Sequence, residues 1–241
     1  MRIRFFNTYE PVTTLYRDLG SFMSSTGHHM DIVMSKAVYR DGRDLDGAVG
    51  KLSGVKIIKT FSIGLHPNQK IAKALIMMLY TVQAAFYSLF GPKVDLNVFL
   101  TQPPLFNLWG YVLKLIRRQP YYCVAMDIYP QQMVANGLMR AEAWFTQVLD
   151  WLSSLALRKA EGVIVIGRCM AERVRAIGVA PERIHFIPNW IDERLVFPVA
   201  PEDNLLRREG GLDGKFVVLY AGKMGLSHRF DDILNVAEQL R

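Results

Sequence analysis

Seven short apolar runs alternate with helix-like stretches up to residue 190, and this alternation limits the fold more than any other feature. The runs are Ile3–Phe6, Met30–Met34, Val55–Lys59, Asp95–Leu100, Tyr121–Met126, Gly162–Ile166 and Ile184–Ile187. Between them apolar residues recur at helical spacing, as in Leu15, Leu19, Phe22 and Met23, or Phe145, Val148, Leu149 and Leu152. A helix between two strands carries the chain back, so that the second strand runs parallel to the first. The pattern predicts an α/β fold with a doubly wound, mostly parallel sheet. Ligands of such sheets sit in the crevice outside the C-terminal strand ends. Three stretches have that position: residues 7–14, 127–130 and 188–192.

Two stretches interrupt the regular alternation. Residues 35–52 are polar and glycine-rich, and a connection of that length reads as functional or mobile. Ile71–Phe90 is the most apolar helix, with Asn68 before it and Gly91-Pro92 to stop it. Its length approaches that of a membrane span. Yet it contains Lys73 and Gln83 and lies between two strands of one sheet, which a crossing would separate. Lys73, Tyr80, Thr81, Tyr87 and Ser88 fall on one narrow stripe of this helix, and the rest is apolar. Two readings stay open. One is a buried crossover helix, the other partial insertion into an inner leaflet beside Lys51, Lys56, Lys59, Lys70 and Lys93.

A polar connector at 197–214, with Pro198, Pro201 and Gly210-Gly211, predicts a domain boundary after residue 196. Phe216–Tyr220 then reads as a fully buried parallel strand. It breaks at Gly222 into a loop with Gly225, and Arg229–Leu240 has helical character. A strand, a glycine loop and a helix N-terminus are the parts of a phosphate cradle. From spacing alone, an ordinary tight turn explains the same residues.

Composition bears on the partner. The formal net charge of +7 points to something anionic. The basic residues are dispersed and form no nucleic-acid motif, so nucleic acid is set aside. Cys123 and Cys169 are far apart without metal spacing and read as buried free thiols of a reducing compartment. His28 and His29 belong to no ligand cluster, so no metal is expected. Met-Arg-Ile-Arg-Phe-Phe at the start has no long apolar run or small-residue cleavage site, so no signal peptide is expected. A cytoplasmic protein is expected, peripheral at the inner membrane face if residues 71–90 insert.

Several short motifs occur in a fixed order: Gly27-His28, Asp127-Ile128-Tyr129-Pro130, Ile187-Pro188-Asn189-Trp190-Ile191-Asp192, Phe197-Pro198 and Phe216–Gly225. Together they resemble glycosyltransferase family 4, in the branch that builds bacterial surface polysaccharides. The resemblance implies the GT-B fold, two Rossmann-like domains across a cleft. It also implies retaining hexosyl transfer from a nucleotide-sugar to a lipid-linked saccharide, with no cofactor and no metal. Residues 1–196 would be the acceptor domain, 197–214 a linker and 215–241 the start of a truncated donor domain.

Three departures qualify this. The family's Glu-x7-Glu pair is missing from the chain, Val12-Thr13-Thr14 stands where a Gly-Gly pair is common, and Lys223 replaces a frequent Asn. The chain alone is therefore expected to be inactive. The alternative is a non-catalytic acceptor-binding or membrane-docking subunit, completed by a separate donor-domain chain. Asp127 is the candidate hydroxyl base or acceptor contact, against an ordinary helix N-cap. Tyr129 would stack on a sugar or pack in the core, and Tyr9 and Glu10 would face the acceptor. The resemblance assigns Gly222, Lys223, Gly225 and Arg229 to the donor diphosphate. It places Asn189 and Asp192 between domains.

Overall fold

The computed structural model describes residues 1–8, 14–35, 55–62, 70–191, 193–194, 196–222 and 228–240. They fall into two units, Met1–Trp190 and Ile191–Arg241. The first holds seven strands: β1 (Arg2–Asn7), β2 (His29–Ser35), β3 (Val55–Thr60), β4 (Leu96–Leu100), β5 (Tyr121–Ala125), β6 (Gly162–Val165) and β7 (Ile184–Phe186). Their order is β3-β2-β1-β4-β5-β6-β7, and every ladder is parallel. The helices are α1 (Thr14–Ser25), α2 (Lys70–Phe90), α3 (Phe106–Arg117), α4 (Gln131–Ala135), α5 (Trp144–Lys159) and α6 (Arg168–Ala176). The α/β fold expected from the alternation is the one observed, and all seven expected strands form.

Successive strand residues point to opposite sheet faces, which gives two cores. On one face Phe6, Val33, Phe99, Tyr121 and Val163 pack under α2, α3, α5 and α6. On the other, Phe5, Ile32 and Val98 meet Met23 of α1. The first core is aromatic at its centre. Phe6 and Phe99 stack at 4.5 Å between ring centroids, and Phe106 stands edge-on to both, at 5.6 and 5.3 Å. α3 comes this close because Gly110 has no side chain. A Cβ there would lie 2.5 Å from the Tyr121 ring and 2.9 Å from Phe99.

Charge is also buried in this sheet. Arg4 of β1 is fully enclosed, opposite Asp31 on β2 and Asn97 on β4. Its Nη2 donates to the Pro92 carbonyl at 2.9 Å and lies 3.5 Å from Asp31, which also pairs with Arg2 at 2.9 Å. The guanidinium sits over the Tyr87 ring. Burial lowers the pKa of Arg4, while Tyr87 and Asp31 oppose that fall.

α2 turns its polar groups inward. The Tyr80 hydroxyl is buried and donates to the Val33 carbonyl at 3.0 Å. Ser88 Oγ, also buried, accepts from Trp109 Nε1 at 2.7 Å. Gln83 grips the chain just past β3: its Nε2 donates to the Phe61 carbonyl and its Oε1 accepts from the Phe61 N–H, both at 2.9 Å. Tyr80, Gln83 and Ser88 therefore face the protein, together with Ala72, Ile76 and Ala84, while further apolar side chains line the other side.

Of the two cysteines only Cys123 is buried; Cys169 is exposed, contrary to the expectation for it. Burial pushes the Cys123 thiol up to about 12. Since the thiolate is the reactive form, Cys123 stays inert at neutral pH. A thiol reagent should label one cysteine of the native chain and both after denaturation. Two fast-reacting thiols in the native state would contradict this core.

The second unit contains the helices α7 (Leu205–Glu209), capped by Asn204, whose Oδ1 accepts from the Arg207 N–H, and α8 (Phe230–Gln239). The expected strand Phe216–Tyr220 does not form. No ladder partner for it exists among the described residues, and Phe216 is 96 % exposed. An apolar run supplies the side chains of a buried parallel strand. It does not supply the neighbouring backbone that such a strand needs.

Candidate functional site

In this strand order β1 is the turning point. The chain winds outward through β2 and β3 on one side, and through β4 to β7 on the other. The winding reverses between β1 and β4, and it is at the C-terminal edge beside such a switch point that doubly wound sheets bind ligands. Buried hydroxyls lie at the C-terminal ends of β1 and β3. Thr8, just past β1, and Thr60, at the end of β3, each have a buried Oγ1 with no hydrogen-bond partner among the described residues. The chain leaves β4 and β5 by parallel routes, each through a cis X–Pro bond, Gln102-Pro103 and Tyr129-Pro130.

Asp127 lies in the second of these turns. Its backbone N–H donates to Thr101 Oγ1 at 3.2 Å, which ties the two turns together. Its carboxylate is bracketed by amides. Gln132 Nε2 donates to Oδ1 at 2.8 Å, and Gln102 Nε2 approaches Oδ2 at 3.5 Å. It does not cap a helix, because α4 begins after Pro130 with no side-chain cap. Held by neutral donors on both oxygens, with no cation against it among the described residues, the carboxylate keeps lone pairs that can accept a hydrogen bond from a sugar hydroxyl.

Tyr129 is half-buried beside it. Burial raises its pKa, the Asp127 charge raises it further, and a hydrogen bond to Gln102 pulls it back. Next to Gln132, Gln131 donates to Asp150 on α5, which anchors the short α4 to a long helix. Asp127, Tyr129, Gln102, Gln132 and Thr101 thus form one connected polar cluster at the C-terminal ends of β4 and β5. The sequence reading did not single out Thr101, Gln102 or Gln132. Isolated amides in turns leave no periodic signal; the available hint was Gln102-Pro103 after one strand, matching Tyr129-Pro130 after the next.

The other candidates are placed as follows. Tyr9, Glu10, Asp192, Lys223 and Gly225 lie outside the described residues. Asn189 is exposed near the end of the first unit. Gly222 sits in a bend beside the Tyr220 ring. Arg229 precedes α8, with its guanidinium on Asp232 at 3.0 Å, so an anion at Arg229 would compete with that carboxylate. Among the described residues no cluster of His, Cys, Asp and Glu has the makings of a metal site.

The sequence of this unit matches the family model for a glycosyl transferase 4-like domain over residues 12–190. The chain belongs to that family. Among relatives of this glycosyl transferase 4-like chain, the "Probable glycosyltransferase WbjE" of Pseudomonas aeruginosa is 26 % identical over 141 residues, 58 % of this chain and 35 % of that protein. The alpha-galactosylglucosyldiacylglycerol synthase of Streptococcus pneumoniae is 30 % identical over 84 residues, 34 % of this chain and 22 % of that protein. The matches thus span about a third or less of these curated relatives.

Among solved structures, the sucrose-phosphate synthase of Thermosynechococcus elongatus aligns with a TM-score of 0.58 at 15 % identity, over 87 % of this chain and 52 % of that one. Anabaena HepE, solved with UDP and glucose, aligns at 0.50 and 15 % identity, over 88 % and 50 %. At such identity the likeness concerns the fold: the chain matches about half of a GT-B glycosyltransferase. With the family, it makes the chain glycosyltransferase-like in sequence and architecture, as the ordered motifs led one to expect.

Proposed function

We propose that this chain is the acceptor-binding portion of a retaining glycosyltransferase of surface-polysaccharide synthesis. The enzyme would move a hexose from a nucleotide-sugar to a lipid-linked saccharide, without metal or cofactor. The observation that supports this is the Asp127 cluster at the C-terminal ends of β4 and β5. A carboxylate held by two amides, beside a tyrosine ring, is suited to orient a sugar hydroxyl and take up its proton. Sugars are bound by such mixtures of flat apolar and hydrogen-bonding groups. Similar GT-B structures were solved with UDP, and HepE with glucose as well, which supports a nucleotide-sugar as donor. One relative is named as the synthase of a glycosylated diacylglycerol, which supports a lipid acceptor.

Residues 1–196 would hold the acceptor, with Tyr9 and Glu10 near it, and 197–214 would be a linker. Residues 215–241 would begin the donor domain, with Gly222, Lys223, Gly225 and Arg229 toward the diphosphate and Asn189 and Asp192 between the domains. The exposed Phe216–Tyr220 run supports a donor domain that needs further strands. The missing Glu-x7-Glu pair favours a second reading for this polypeptide: a non-catalytic acceptor- or membrane-docking subunit that pairs with a separate donor-domain chain. Residues 1–241 alone should transfer no radiolabelled sugar to a lipid acceptor, while transfer should appear when a donor domain is supplied in cis or in trans. Transfer by the isolated chain would overturn the incomplete-portion reading.

A further inference from the structure

We propose that the outward face of α2 docks on an anionic lipid surface, with its apolar side chains entering one leaflet. An ordinary surface helix buries its apolar stripe and shows its polar one to water. α2 buries Ala72, Ile76 and Ala84 together with Tyr80 and Ser88, yet turns a second apolar stripe to water where a polar one is expected. Tyr80 and Ser88 are buried and hydrogen-bonded, whereas Ile71, Met78, Val82, Phe86 and Phe90 are 61–77 % exposed along one side. These positions, spaced by seven, four, four and four residues, form a single stripe along the helix. Phe86 and Phe90 contact each other on it, at 4.5 Å between centroids. Scattered exposed apolar residues are ordinary, but a continuous stripe of this length marks an interaction surface.

Charge selects the occupant. The twenty-one residues of α2 include no Asp or Glu. The C-terminal, phenylalanine-bearing end is ringed by bases. Lys93 follows α2 directly and is exposed, as is Arg118 at the end of α3. That end of α3 is fixed beside α2 by Arg117, which donates to the Ser88 and Gly91 carbonyls at 2.7 and 2.9 Å. Lys56 is exposed on β3, on the α2 side of the sheet, the face that also carries Ile58. Phenylalanines rimmed by lysine and arginine match the boundary of an anionic leaflet, where apolar side chains reach past the headgroups into the acyl region and the bases meet phosphate. Among the described residues no helix is long and apolar enough to cross a membrane, so α2 would lie along the surface. The inference deepens the lipid-acceptor reading and rests on it for its purpose: a docked α2 would bring the acceptor domain to a lipid-anchored saccharide.

Flotation at low salt tests this, using vesicles of phosphatidylglycerol with phosphatidylcholine and vesicles of phosphatidylcholine alone. The full chain should float with the anionic vesicles and stay at the bottom with the neutral ones. Val82→Glu combined with Phe86→Glu should cut the bound fraction at least tenfold. Phe22→Glu, at an exposed position of α1, should not. Both positions are already in water, so thermal melts of the variants should match the parent. A Phe86→Cys chain with Cys169→Ser, carrying a polarity-sensitive fluorophore, should brighten on anionic vesicles and be quenched by acyl-chain nitroxides. The proposal falls if the parent stays at the bottom, if the double glutamate variant floats as well as the parent, or if the fluorophore stays in water on bound protein. It falls too if light scattering shows α2 joining two copies that the double variant separates. These vesicles hold neither saccharide acceptor nor nucleotide-sugar, so their outcome and that of the sugar-transfer assay are read independently.

Discussion

Replacing Asp127 with asparagine is expected to lower sugar transfer by about 10²- to 10⁴-fold once a donor domain is supplied, the range for loss of a positioned general base. Asparagine keeps the shape of aspartate. Its oxygen can still accept from Gln132 Nε2, now at 2.8 Å from the carboxylate, and the Gln102 amide can turn its oxygen toward the new NH₂. The turn tied to Thr101 should therefore persist, and acceptor KM should change only a few-fold while kcat collapses. A proton acceptor would be missing, not a binding surface. Asp127→Ala separates the alternatives by also removing the amide contacts, which should raise KM as well. An Asp127→Asn variant with unchanged kcat would reduce Asp127 to a loop-shaping residue. The chemistry of the site would then have to come from elsewhere.

The second large effect is on stability. Asp31→Ala should cost about 3–5 kcal/mol, the range for removing one partner of a buried ion pair. Arg4 is fully enclosed, and its Nε and Nη1 have no hydrogen-bond partner among the described residues. The Asp31 carboxylate, itself nearly enclosed, is the opposite charge within reach, at 3.5 Å. Without it the guanidinium keeps one carbonyl and the Tyr87 ring, which do not replace a full negative charge. Arg2 loses its partner too, but it is partly exposed and water compensates it. Urea unfolding should show a much lower midpoint with an unchanged slope. Arg4→Met combined with Asp31→Leu should cost far less than Asp31→Ala, because no charge then remains buried. A loss below about 1 kcal/mol for Asp31→Ala would mean that water reaches Arg4.

The sequence announced the sheet for a simple reason. Each of the seven strands carries its own apolar run, and each helix its own periodicity, so the signal lies within the element. Phe216–Tyr220 carries the same local signal and forms no strand, because the ladder that would make it one is not local. The site was half legible. Asp127 could be found because it ends a strand beside a proline. Gln132 and Gln102 come to it only through the folding of two separate turns, and nothing in their own neighbourhoods marks them. On α2 the polar stripe was visible, but its direction was not. Periodicity tells which residues share a face. It does not tell which face meets the core, and here the apolar-out arrangement is decided by Val33, Trp109 and Phe61 on other elements.

The winding order also has a kinetic side. β1 pairs with β2 across one helix, but with β4 only after two further crossovers, so that Ile3 meets Leu96. Closing the longer loop costs more entropy before any contact repays it, so the ladder of near neighbours should form first. During synthesis β1, β2 and β3 can assemble while β4 is still unmade, and the join between β1 and β4 comes later. That join is also the switch point of the sheet, so the two sides of the candidate site would come together only after the β1–β2 and β2–β3 ladders have formed. Pulse-labelled hydrogen exchange would show it as amides of the β1–β4 ladder gaining protection after those of β1–β2.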